Sequence, residues 1–132
     1  LFENKKVNID KIIKMYEMKT GSLFSFACSA PCIIANRKKE LIFSINFGKL
    51  FGILFQITDD ILDEIKDFDA IGKTPGKDKK QGKSTLLSIS DINKMKNFCE
   101  SKINIFENKN KKIFKNNPIL SDLLRLNIKK LN

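Results

Sequence analysis

Four side chains with oxygen donors stand close together in one apolar stretch of the sequence: Gln56, Asp59, Asp60 and Asp63. Spacings of three and four residues put them along one stripe of a helix. Neighbouring carboxylates repel one another, and burying them is costly unless a cation or another partner compensates. The pattern leaves two interpretations open, a cation site or a helix end that emerges into solvent with an acidic tail.

Asp59 and Asp63 lie one helical turn apart, which suits Mg²⁺, an ion commonly held by one or two carboxylates, waters and substrate phosphates. The segment that follows is rich in lysine and contains Lys73, Lys77, Lys79, Lys80 and Lys83. Acidic groups beside lysines are compatible with a polyanion that a metal bridges to the protein. Residues 76–84 look like a nucleotide-binding P-loop, but five residues rather than four separate the glycines, and no strand precedes them.

The elements that position these residues are predicted to be helical almost throughout, because no stretch alternates with a period of two. Apolar residues cover most of the circumference of the helix from Phe47 to Glu64, which favours a place in the middle of a bundle. The sequence therefore predicts an all-α helical bundle. The predicted helices run from Asn8 or Asp10 to about Pro31 with a weak point at Gly21, from near Arg37 to about Asp67, over about 85–109 with a new start at Ser90–Asp91, and from Asn117–Pro118 to near Leu131.

The stretch Phe55–Asp63, FQITDDILD, resembles the FQxxDDxxD segment of trans-polyprenyl diphosphate synthases, the second aspartate-rich motif of that family. Lys19-Thr20-Gly21 matches the family's KTG motif, and residues 72–78 and 82–85 resemble its GKxxGxD and GKxT segments. Four motifs in this order are far more specific than one DDxxD. By this resemblance, which is strongest to bacterial farnesyl or geranylgeranyl diphosphate synthases, we expect the C-terminal portion of the isoprenoid synthase fold.

The resemblance implies a Mg²⁺-dependent prenyltransferase that joins its substrates head to tail. Such enzymes ionise an allylic diphosphate, add isopentenyl diphosphate to the carbocation and release a proton. Metal and lysines then neutralise the charge on the departing diphosphate. The implied metal residues are Asp59, Asp60 and Asp63, with Asp59 most direct and Asp60 in support.

The resemblance also implies roles for residues outside the aspartate motif. The implied ligands of the allylic diphosphate are Lys19, Lys73 and Lys83. The implied catalytic residues are Lys19, Thr20, Gln56 and Asp59, with Thr20 and Gln56 near the reacting carbons and the diphosphate. Phe51 and Phe55 are interpreted as packing residues of the bundle rather than as substrate contacts.

The family has two aspartate-rich motifs that face each other, whereas this sequence contains one. We therefore expect residues 1–132 to be the C-terminal part of a single polyprenyl synthase domain whose N-terminal part is absent. Such a chain is expected to be inactive alone, and family membership implies a homodimer. A non-catalytic small subunit or degenerate homologue is the alternative. The product chain length is set in the absent part and cannot be predicted.

The composition of the 132 residues bears on partners and location. The net charge of +10 comes from 25 basic and 15 acidic residues, but only Arg37 and Arg125 are arginines. Because arginine is preferred for bidentate phosphate and base contacts, we expect no nucleic-acid partner, and a basic nucleic-acid-binding module is a distant alternative. Three cysteines, an odd number, favour a reducing, cytoplasmic location. The apolar run Leu41–Ile57 is short for a membrane span, so we expect none.

Overall fold

The computed structural model describes residues 2–71 and 91–132, and in those two ranges every regular element is helical. The predicted all-α class is confirmed. The helices are α1 (Phe2–Tyr16), α2 (Ser22–Ile34), α3 (Lys38–Ile71), α4 (Ile92–Lys109), α5 (Lys111–Asn116) and α6 (Ile119–Lys129), and the π-helical segment Glu17–Gly21 joins α1 to α2.

Helix α3 is the centre of the bundle and packs against α1, α2, α4 and α6. Leu54, Ile57 and Ile61 are completely buried, as the apolar pattern predicts for a central helix. By length and composition alone, Lys38–Asp67 would also pass as a membrane span. Core helices of globular proteins pass the same test, and these buried contacts indicate that role.

A tight turn reverses the chain between α2 and α3. The N–H of Arg37 donates to the Cys32 carbonyl at 2.7 Å, and that of Asn36 donates to the Ile33 carbonyl at 3.2 Å. These two bonds form a Schellman motif, and Asn36 has the left-handed conformation that the motif requires, with φ 56°. Pro31 lies inside α2, so the Schellman turn, and not the proline, ends the helix.

Two glycines of α3 allow this helix to approach the backbone of α2 and of the π-helical segment very closely. A Cβ on Gly48 would lie 2.5 Å from the carbonyl oxygen of Phe24 and 2.6 Å from the Cα of Ser25. A Cβ on Gly52 would lie 2.7 Å from the Cα of Gly21. Only glycine fits such backbone contacts at Gly48 and Gly52. Gly21, the predicted weak point of the first helix, is buried and is the last residue of the π-helical segment that interrupts the α-helix.

The C-terminal helices are attached to α3 by aromatic and charged side chains. The ring of Phe43 lies 5.4 Å from that of Phe106 and 5.7 Å from that of Phe114, between centroids, which joins α3 to α4 and α5. Helix α4 begins where predicted, since the Asp91 carboxylate accepts from the N–H of Lys94 at 2.8 Å as an N-cap. These contacts leave the opposite end of α3, with its aspartates, to face α1 and the π-helical segment.

Candidate active site

A continuous chain of hydrogen bonds links the KTG segment to the aspartate-rich part of α3. The Thr20 hydroxyl donates to Gln56 Oε1 at 2.8 Å, and Gln56 Nε2 donates to Asp60 Oδ1 at 2.8 Å. The Tyr16 hydroxyl donates to the other carboxylate oxygen of Asp60, Oδ2. Three of the predicted site residues thus meet in one network, and Tyr16 completes it.

Tyr16 is almost fully buried at the last position of α1. Burial, followed by the hydrogen bond and negative charge of Asp60 and the charge of Glu64, raises the pKa of Tyr16 far above its ordinary value. The phenol therefore keeps its proton at physiological pH and acts as a donor to Asp60. Both Asp60 oxygens accept hydrogen bonds from neutral groups, the Tyr16 hydroxyl and the Gln56 amide.

Asp59 and Asp63, by contrast, are both exposed on α3. Within residues 2–71 and 91–132, no lysine or arginine forms an ion pair with either of them or with Asp60. Two exposed carboxylates one turn apart fit the oxygen donors that Mg²⁺ uses. The same ranges contain no group of three or more acidic or cysteine side chains that could hold a metal ion, so further ligand oxygens would have to come from elsewhere.

Lys19 is exposed and directly precedes Thr20 within the π-helical segment. Single π-helical turns interrupt helices frequently at functional sites. Here the interruption carries the whole KTG motif, Lys19 to Gly21, and lies against α3. Lys73 and Lys83, with the GKxxGxD and GKxT segments, lie outside the described residues, so their contacts with a diphosphate stay predictions.

The phenylalanines of α3 near the aspartates pack against α2. The ring of Phe24 lies 4.9 Å from that of Phe51 and 5.5 Å from that of Phe55, between centroids, in agreement with the interpretation that both are packing residues. The Nζ of Lys130, just after α6, lies 5.9 Å from the centroid of Phe55. The last helix thus ends close to the ring that precedes Gln56 in the sequence.

Sequence reasoning missed Tyr16 and the two glycines of α3 as parts of this site. Tyr16 stands 44 positions before its partner Asp60, and no local pattern relates the two. The four-residue spacing of Gly48 and Gly52 on one helix is a signal that could have been used, because paired small residues permit close helix contact.

The fold and the site together define an all-helical protein in which a KTG segment is hydrogen-bonded to an aspartate-rich central helix. Comparison with protein families gives a match to polyprenyl synthetase over residues 1–122. The chain belongs to this family, and its helical architecture is consistent with the isoprenoid synthase fold.

Two curated relatives carry more specific names. The chain is 37% identical to geranylgeranyl pyrophosphate synthase 4 of Arabidopsis thaliana over 99 residues, which cover 74% of this chain and 27% of the relative. It is 35% identical to a probable farnesyl diphosphate synthase of Bradyrhizobium diazoefficiens over 100 residues, 72% of this chain and 30% of the relative. The chain thus spans less than a third of either relative. Comparison with solved structures gave no significant match.

Proposed function

We propose that this chain is the diphosphate-binding and metal-binding part of a short-chain trans-prenyltransferase. The enzyme would condense an allylic diphosphate head to tail with isopentenyl diphosphate. The observation that carries the proposal is the bonded chain from Thr20 to Asp60, beside which Asp59 and Asp63 stay exposed and unpaired among the described residues. Family membership and the names of both relatives support the same reaction class.

In this proposal the lysines and the aspartates contribute to binding of the allylic diphosphate in different ways. Lys19, Lys73 and Lys83 bind its oxygens as positive point charges. Asp59 and Asp63 provide two carboxylates for the divalent cation, and a bound diphosphate would supply further oxygens and tighten its binding. When bound, the metal would stabilise the negative charge that develops on the departing diphosphate.

The neutral residues of the network provide orientation. The Asp60 carboxylate fixes the orientation of the Gln56 amide, because it accepts from Nε2 and the Thr20 hydroxyl then donates to Oε1. Reversing the amide would set an oxygen against the Asp60 carboxylate and cost this half-buried hydrogen bond. Thr20 and Gln56 are therefore proposed to present fixed polar atoms beside the reacting carbons, and the apolar side chains around them keep water away from the carbocation.

We also propose that residues 1–132 work together with an N-terminal part that carries the first aspartate-rich motif, in a homodimeric cytoplasmic enzyme. The isolated chain has one aspartate-rich motif and is proposed to transfer no prenyl group. Product formation by the purified 132-residue chain would contradict this part of the proposal.

The test is a full-length chimera in which this chain replaces the matching segment of the Bradyrhizobium relative. We expect incorporation of labelled isopentenyl diphosphate that requires Mg²⁺. Asp59→Ala should lower the turnover at least about a hundredfold, because loss of a metal ligand removes charge stabilisation from the transition state. Asp122→Ala, which removes an exposed carboxylate on α6, is the matched control and should leave the turnover within about twofold.

A correctly folded chimera that transfers no prenyl group would contradict the catalytic proposal and favour the non-catalytic subunit. An Asp59→Ala variant with near-normal turnover would contradict the assignment of the metal site. Circular dichroism separates both outcomes from misfolding, because a folded chimera retains its helical spectrum.

A further inference from the structure

Tyr16 is the network member to which neither the motifs nor the proposed function gives a role. Its side chain is 4% exposed and belongs to the hydrophobic core together with Ile12. Only the hydroxyl reaches a polar group, Oδ2 of Asp60. A buried tyrosine normally finds such a partner, but here the partner is a carboxylate within the proposed metal-binding motif.

The three aspartates of that motif do not have equivalent surroundings. Asp60 is half-buried and uses both carboxylate oxygens, one with Tyr16 and one with Gln56. Asp59 and Asp63 are exposed. A side chain held at both oxygens by two different helical segments has little freedom to rotate, so Asp60 cannot turn toward its two neighbours without losing these half-buried hydrogen bonds.

We propose that Tyr16 is a positioning residue that holds Asp60 back from the cation, so that Asp59 and Asp63 alone form the metal-binding pair. This inference rests on the proposed function of that pair. It changes the role of Asp60 from the supporting metal residue implied by the resemblance to the anchor of the KTG segment, through Gln56 and Thr20.

The proposal predicts a specific effect when the hydroxyl is removed. In Tyr16→Phe, Asp60 loses one of its two donors and turns toward solvent, where a third carboxylate joins the exposed pair. The added negative charge should strengthen binding of a divalent cation in the absence of any diphosphate, by about fivefold. A residue that serves only in packing would not produce tighter binding.

The first measurement tests the hydrogen bond in the resting protein. The chain contains one tyrosine and no tryptophan, so its tyrosine emission comes from Tyr16 alone. A carboxylate that accepts a hydrogen bond from the phenol hydroxyl quenches the tyrosine emission. We expect Asp60→Asn to raise the emission about twofold, whereas the matched control Asp63→Asn should leave it unchanged. Equal emission in the wild type and Asp60→Asn would overturn the proposal.

The second measurement is Mn²⁺ binding to the 132-residue chain, followed by electron paramagnetic resonance. Tyr16→Phe should bind Mn²⁺ about fivefold more tightly than the wild type, and the double variant Tyr16→Phe/Asp60→Asn should return to the wild-type affinity. An unchanged affinity in Tyr16→Phe, or the same increase in the double variant, would overturn the proposal. If Tyr16→Phe loses its helical circular dichroism, the emission of Asp60→Asn decides alone.

These outcomes are separate from those of the proposed function. If Asp59→Ala does not weaken the binding of Mn²⁺, the assignment of Asp59 and Asp63 as the metal-binding pair is wrong. If Asp59→Ala abolishes binding while Tyr16→Phe has no effect, the pair stands and only the role of Tyr16 is wrong.

Discussion

The aspartate-rich end of α3 and the contact between α4 and α6 compensate their carboxylates in different ways. At the C-terminal end of the fold, Arg125 of α6 binds Glu107 and lies 3.3 Å from Glu100, both on α4. At the aspartate-rich end, Asp60 is held by neutral donors and Asp59 has no cationic partner among the described residues. The first region satisfies its charges internally and is structural. Among the described residues, the second region leaves the carboxylates of Asp59 and Asp63 without a cationic partner, in keeping with the cation site that we propose there.

The regions also differ in how closely their helices approach. The Arg125 region joins α4 and α6 through long side chains, whereas α3 meets the backbone of α2 at Gly48 and the backbone of the KTG segment at Gly52. Long side chains can adjust to a substitution, but two backbones in contact cannot. The aspartate-rich region should therefore be the more sensitive of the two to small increases in volume.

The largest effect is expected from Gly48→Ala. The new methyl group would lie 2.5 Å from a backbone oxygen, so the two helices must separate, and we expect a loss of about 2 to 3 kcal/mol in the free energy of unfolding. The matched control is Gly21→Ala, whose Cβ has its nearest contact at 3.4 Å and gains helix propensity. Urea denaturation measures both, and equal losses would contradict the backbone contact as the cause.

A smaller and pH-dependent effect is expected from Glu107→Gln in the structural region. Burial of Glu107 opposes its ionisation, but the hydrogen bonds from Arg125 and Ser121 outweigh this and lower the pKa of the carboxyl. The ion pair therefore stabilises the fold fully above the ordinary glutamate pKa of about 4.3, and the stabilisation is lost as the pH falls through the lowered value.

At neutral pH we expect Glu107→Gln to lose about 1 kcal/mol of unfolding free energy, and at pH 2 to 3 the difference from the wild type should become small. Thermal unfolding at several pH values measures it. Glu40→Gln is the control, because the Arg37–Glu40 pair is exposed and exposed pairs contribute little. A loss for Glu107→Gln that does not change with pH would show that packing, and not charge, is responsible.

The parts of this molecule that local patterns determine could be predicted from sequence. The apolar circumference of α3 predicts a central helix, and Asp91 predicts the start of α4 because an N-cap involves neighbouring residues only. The spacing of Gln56 and Asp60 predicts their contact for the same reason. Helix ends that lack such signals are predicted less accurately. Helix α1, for example, begins at Phe2, before Asn8 and Asp10, the residues at which its start is predicted.

The features that sequence reasoning missed depend on contacts between distant segments. The π-helical turn at the KTG motif and the Tyr16–Asp60 bond both arise where α1 and the π-helical segment cross α3. That crossing is set by glycines whose importance is visible only once the opposing backbone is in place. The sequence motifs therefore identified Thr20, Gln56 and Asp60, which meet in one network, but no local pattern predicted the bond from Tyr16 to Asp60.

The smallest effects come from making one substitution, threonine to valine, at two positions of the aspartate-rich region. Thr20 donates a hydrogen bond to Gln56, so Thr20→Val should lose about 0.5 kcal/mol of unfolding free energy. Thr58 is buried, and its hydroxyl has no hydrogen-bond partner in the part of the chain that the structure describes. Thr58→Val keeps the shape and removes an unsatisfied polar group, so it should be neutral or stabilise by up to about 1 kcal/mol.

Each threonine variant serves as the control for the other, because both lose the same hydroxyl from a helical segment next to Gln56 and Asp60. Urea denaturation of the two variants beside the wild type gives the comparison. Opposite signs would show that the network stabilises the region through a specific bond from Thr20. Equal effects would mean that the hydrogen bond from Thr20 to Gln56 adds nothing to the stability of the contact between the KTG segment and α3.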